Sequence, residues 1–132
     1  MMEQGRIEEF THNGENFIYI DLSDFKTNED FIRLMDITGP KIAKYPPYSL
    51  YTITNVENIR IDSESKEIVA RYMVINKPYV KYGALIGLDG VKKLLIRAMF
   101  TLSGRKNMLF AFTREQAIDL LLNKEMNRER PN

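Results

Sequence analysis

In "RIEEFTHNGENFIYIDLS" short runs mixing polar, β-branched and aromatic residues flank the dipeptide Asn13-Gly14, with Phe17, Ile18, Tyr19 and Ile20 in succession after it. That dipeptide accepts the positive φ angles of a two-residue hairpin loop, so the segment reads as two antiparallel strands. Phe17, Tyr19 and Asp21 then share one face, and Ile18, Ile20 and Leu22 the other. From Thr27 the period lengthens to that of a helix, with Phe31, Leu34, Met35, Thr38 and Ile42 recurring at steps of three and four. Thr27 or Asn28 caps its start, and Glu29 and Asp30 suit the positive end of the helix dipole. Pro40 lies inside the stretch and predicts a kink or a break, because it lacks a backbone donor and crowds the preceding turn. Pro46-Pro47 ends the segment.

"YSLYTITNV" is β-branched and aromatic and reads as a short buried strand. "DSESKEIVARYMVIN" follows as a helix presenting Ile68, Tyr72 and Ile75 beside Val69 and Met73, closed by Pro78. "YGALIGL" is continuously apolar, as expected of a strand covered on both faces. "DGVKKLLIRAMFTLSG" reads as a helix stopped at Gly104, and "NMLFAF" as the last strand. "TREQAIDLLLN" opens a final helix with Thr113 and Gln116 in capping-box spacing. The order β-β-α-β-α-β-α-β-α predicts an α/β fold: a mostly parallel five-stranded sheet with an antiparallel N-terminal edge strand and helices on both faces. Residues 1–122 form one domain in this reading, and 123–132 a frayed charged tail.

Composition narrows the classes. The chain of 132 residues suits a single core, and 44% hydrophobic with 28% charged residues is ordinary for a folded domain. A net charge of +1 supplies no field to attract nucleic acid or an anionic membrane. No apolar run approaches the roughly 20 residues that span a bilayer. The acidic "MMEQGRIEEF" lacks the apolar core of a signal peptide, and the absence of cysteine excludes disulfides, thiolate metal sites and a cysteine nucleophile. A cytoplasmic location is expected.

Candidate chemistry gathers where the loops leave the carboxyl ends of parallel strands, the edge at which open α/β sheets bind ligands. That edge collects Asp21, Ser23 and Asp24, then Thr54 and Asn55, then Leu88, Asp89 and Gly90, then Thr113 and Arg114. Asp89 and Thr113 also suit helix caps, and Asp24 a turn. "GLDG" lacks the lysine and hydroxyl of a phosphate-binding loop. His12, the single histidine, sits at the hairpin, away from the serines that a triad would need. Acids such as Asp21 and Asp24 have no histidine or cysteine beside them, so neither a metal site, a cofactor nor an enzyme is expected.

One junction remains, "IDSESKEIV" after the third strand. Asp62 or Ser63 can cap the helix that starts there, and Glu64 is favoured in its first turn. The element order together with this junction resembles the STAS superfamily, the bacterial anti-sigma-factor antagonists and the SpoIIAA-like (STAS/SEC14-like) proteins, over about Ile7 to Leu122. In the antagonists the junction reads Asp-Ser-Ser-Gly, and phosphorylation of the second serine switches binding to a partner kinase. Asp62, Ser63, Glu64 and Ser65 occupy those places here, with Glu64 at the phosphorylated position, so Ser63 and Ser65 are the remaining acceptors in the turn. The resemblance implies a non-enzymatic bacterial regulatory module. Its expected binding surface is formed by Asp62, Ser63, Glu64 and Ser65 with the loop residues Asp21, Ser23, Asn55 and Asp89, facing an unidentified protein partner.

The segment "VKKLLIRAMFTLSGRK" carries more apolar residues than one helix face needs. Either the helix is buried between the sheet and a neighbour, or Leu95, Met99 and Phe100 form a patch flanked by Lys92 and Arg97 for a partner, for a homodimer, or for an amphipathic lipid. The alternative function is therefore a carrier or sensor of an apolar or amphipathic small molecule, held between this helix and the sheet, with SEC14-like relatives as the analogy.

Overall fold

The computed structural model describes residues 4–104 and 107–129, with the side chains at 4, 99, 100, 102, 103 and 124–129 outside the described set. A short 3-10 turn at Gln4–Arg6 precedes strand β1 (Ile7–His12) and β2 (Glu15–Asp21). Then come α1 (Asn28–Ala43), β3 (Leu50–Asn55), α2 (Ser63–Asn76), β4 (Val80–Ile86), α3 (Gly90–Ser103), β5 (Met108–Ala111) and α4 (Arg114–Glu129). β1 pairs antiparallel with β2 through Asn13 and Gly14, both at positive φ as an Asn-Gly hairpin requires. β2 to β5 are parallel, in the spatial order β1-β2-β3-β4-β5.

The order advances in one direction without reversal. Crossovers between parallel strands share one hand, so successive crossovers in an advancing sheet lie on the same face. Ile18, Ile20, Leu50 and Leu85 on the sheet accordingly meet Phe31, Leu34 and Ile42 of α1, Ile68 of α2 and Ile96 of α3 in one cluster. The opposite face belongs to α4, whose Ala117 and Leu121 pack on Phe17, Tyr51, Ile53, Ala84 and Ile86. An aromatic row crosses that face, Phe10 on Phe17 at 5.1 Å, Phe17 on Tyr51 at 4.9 Å and Tyr51 on Tyr82 at 6.4 Å between ring centres. Over the β1 side of this face the Arg114 guanidinium lies 4.6 Å from both Phe10 and Tyr19 and reaches Glu8 at 3.0 Å. A planar cation that stacks and pairs at once suits such a site.

α1 corrects part of one expectation, the break at Pro40. It runs unbroken through Pro40 to Ala43. Gly39 explains part of this, since the clash that proline imposes on the preceding residue acts partly through its Cβ, and glycine has none. Thr27, not Asn28, is the cap, its hydroxyl accepting from the Asp30 amide at 3.2 Å. The end of α1 is tied to β1 where the Tyr45 hydroxyl donates to Glu9 at 2.6 Å, with Lys44 also on that carboxylate at 3.1 Å. A second correction falls on α2: Ile68 is buried and Val69, Tyr72 and Met73 are half-buried, but Ile75 is exposed. Gly104 ends α3 in the left-handed conformation, as its position after Ser103 suggested.

Pro40 is itself exposed, so replacing it removes little packing. Pro40→Ala restores a donor for the Asp36 carbonyl and should stabilise the protein by about 1–3 kcal/mol in urea denaturation. A loss of stability would contradict the reading that helix packing overrides a local cost at this position.

Candidate functional site

The carboxyl edge of the sheet is built as expected, but its polar groups are occupied by one another. Asp21 Oδ1 accepts from the Ser23 amide at 2.9 Å, and the Leu22 amide donates to the Asn55 carbonyl at 2.8 Å. Asn55 Oδ1 accepts from the Glu57 amide at 3.0 Å and stands 2.8 Å from where a Cβ on Gly87 would be. Asp24, at positive φ, accepts from Asn58 Nδ2 at 2.9 Å. Asp89 caps α3 by accepting from the Lys92 amide at 2.9 Å, and the Lys92 ammonium donates to the Ile59 carbonyl. Arg6, which the sequence did not single out, donates to the carbonyls of Asp21 at 3.1 Å and Ser23 at 2.8 Å, with its guanidinium 4.5 Å from the Phe25 ring. These contacts bring Asp21, Ser23 and Asn55 together as a stitched rim.

The Asp62 to Ser65 junction is a closed capping box. Asp62 Oδ1 accepts from the Ser65 amide at 2.9 Å, while Ser65 Oγ accepts from the Asp62 amide at 2.7 Å. Two otherwise orphaned donors are thereby satisfied reciprocally. Ser65 is 2% exposed, so it is not open to a partner, which corrects the expectation that both serines are acceptors. Ser63 and Glu64 are exposed. The Asp62 carboxyl is held below the usual carboxylate range, first by the Ser65 amide and further by the Ser65 hydroxyl and Arg60, against a smaller desolvation.

α3 is sparsely covered. Among its described side chains Ile96 is the buried one, while Val91 is 73%, Leu94 71% and Leu95 40% exposed, and Ala98 is exposed as well. Positions 91, 94, 95 and 98 follow one another at steps of three, one and three, which places them along a single stripe of a helix. The basic residues do not cover this stripe. Lys93 and Arg97 lie over the Phe110 ring at 5.3 and 5.2 Å, and Lys92 is drawn to the β3–α2 loop. Leu95 is thus in the expected patch, whereas the Met99 and Phe100 side chains lie outside the described residues. Val91 joins the patch; its spacing from Leu94 and Leu95 was readable, but its place at the first turn concealed its exposure.

An apolar cavity of about 90 Å³ lies between the sheet and the helices. Its walls come mostly from β2, β3, β4, α1 and α2, with Ile96 the contribution of α3. This space lies mostly towards α1 and α2, and not between α3 and the sheet. Its volume is also well below the roughly 300–1,000 Å³ of ordinary ligand pockets, too little for a lipid chain.

Among the described residues no group of three or more His, Cys, Asp or Glu side chains could hold a metal ion, and no helix is long and apolar enough to cross a membrane. His12 stands at the end of β1, edge-on to Phe17. No protein-family model matches the sequence, and no curated protein matches it.

The cap generates a paired test. Ser65→Ala leaves the Asp62 amide without its partner and should cost about 1–2 kcal/mol, whereas the exposed Ser63→Ala should stay within about 0.5 kcal/mol, both read from denaturant midpoints. Because the folded pKa of Asp62 is lowered, its contribution is present above the ordinary value of 3.8 and is lost as pH falls through the lower folded value. Asp62→Asn keeps an acceptor and should flatten that acid limb; an unchanged limb would show that the charge of Asp62 does not contribute.

Proposed function

We propose that this chain is a non-enzymatic regulatory module of STAS-like type that acts in the bacterial cytoplasm through protein–protein contact, and that its first contact is with a second copy of itself through α3. The observation that carries the proposal is the uncovered stripe of Val91, Leu94, Leu95 and Ala98. Contiguous apolar surface is seldom left bare on a monomer. A stripe at steps of three and four is the surface by which one helix packs on another, and in a two-fold pair it meets itself. Several features favour a second copy over a charged partner. Lys93 and Arg97 are folded back onto Phe110, so the stripe presents no charge of its own. A net charge of +1 sets up little repulsion between copies. Val74 and Ile75 of α2, the helix beside α3, are half exposed as well. The STAS-like type is supported by the element order and by the Asp62 to Ser65 junction. The stitched rim and the closed cap lend less to partner binding, since their polar groups are already paired.

A second reading, a carrier or sensor of an apolar small molecule, is favoured by the cavity beneath α1 and α2, on a scale smaller than a lipid.

Leu94→Asp places a charge at an exposed position and should leave the melting temperature within about 2 °C, since surface substitutions usually cost under 0.5 kcal/mol. Sedimentation should find the parent chain dimeric at micromolar concentration and the variant monomeric. A parent chain that is monomeric throughout, or a variant that still dimerises, would refute the α3 interface.

A further inference from the structure

The cavity contains polar groups that an empty packing gap would not need. Thr52 and Thr54 lie two residues apart on β3, opposite Ile18 and Ile20 of β2, so both project to the helical face and line the cavity. Their hydroxyls are roughly 7 Å apart along the strand. Thr52 is 6% exposed and Thr54 is half-buried. A hydroxyl in an apolar wall costs free energy that valine, of the same shape, would not, unless something hydrogen-bonds to it. Beside Thr52 the sheet carries Gly83, where a Cβ would stand 2.6 Å from Thr52 Oγ1 and 2.6 Å from Met108 Sδ. Any larger residue would collide with that hydroxyl and with the Met108 side chain. Met35, Met73 and Met108 are among the other lining side chains, and an unbranched thioether adjusts to an occupant.

We infer that this cavity is a binding site for a neutral, compact, mainly apolar molecule about the size of a single ring and bearing one hydroxyl, which Thr52 engages by a hydrogen bond. The inference rests on the second reading above and gives it a location and a chemistry. At about 90 Å³ the space is smaller than the roughly 150 Å³ of an apolar cavity that admits benzene, a difference that movement of the methionines makes up. A charged ligand is excluded, because the lining offers no ionic partner and desolvation would go uncompensated.

Phenol and benzene, which differ by one hydroxyl, separate the possibilities. With the full chain labelled at methionine and threonine methyls, a phenol titration should shift Met73 and Met108 saturably, with affinity about tenfold above that of benzene, the value of one good hydrogen bond. Thr52→Val should lower phenol affinity by about tenfold and leave benzene affinity within about twofold. Equal binding of both compounds, unaffected by Thr52→Val, would overturn the hydroxyl assignment while leaving the apolar-ligand reading standing. Binding of neither, with water contacts detected at the Thr52 hydroxyl, would overturn both. Should Thr52→Val fail to fold, the phenol-to-benzene ratio on the parent chain decides alone, a ratio near one refuting the inference.

Discussion

The one-directional strand order is the constraint on which the rest of the molecule depends. Once β2 to β5 run parallel and each is laid beside the last, α1, α2 and α3 form a row on one face, and the other face is left to α4. A row has two ends. α2 lies between neighbours, but α3 is the last member, with α2 as its neighbouring helix. The apolar stripe follows from the topology together with a sequence that did not turn polar there. The same order denies the sheet a switch point, the place where a reversing strand order opens a crevice for a ligand. Loops at the carboxyl edge stand shoulder to shoulder instead and satisfy one another, as Leu22 with Asn55 and Asn55 with Glu57 illustrate.

That geometry divides the polar residues into two groups. Asp62, Ser65, Asp89, Thr113 and Thr27 are helix caps, each spending its oxygen on a backbone amide. Arg6 and Arg114 act as staples, one across the rim and one across the strands that α4 leaves uncovered. Thr52 and Thr54 belong to neither group, which is why the cavity stands apart from the rest of the core. They line the cavity together with methyl- and thioether-bearing side chains.

Much of this was legible in the sequence. The hairpin at Asn13-Gly14, the buried series Phe31, Leu34, Met35, Thr38 and Ile42, and the alternating faces of β2 follow from period and turn chemistry, which are local. The continuity of α1 was not, because the packing of that buried series outweighed the cost of one proline. Ile75 misled for a related reason: its spacing from Ile68 and Tyr72 fits a helix face, but the buried arc of α2 is too narrow to include it. The exposure of Leu94 depends on α3 being last in the row, which no single segment carries. Sequence did hold one overlooked sign of the cavity, two threonines at alternate positions in an otherwise apolar strand, "LYTITN", set against a glycine in β4.

The account turns on whether the open end of the helical row is where two copies meet. Isotope-filtered NMR on a mixture of methyl-labelled and unlabelled chains reports contacts between copies alone. The account predicts that Val91, Leu94 and Leu95 methyls show such contacts at concentrations where the protein is dimeric, and that Ile20 and Leu85, inside the core, show none. Contacts between copies that fall elsewhere, on the β1 edge or on α4, with none at the α3 methyls, would contradict it.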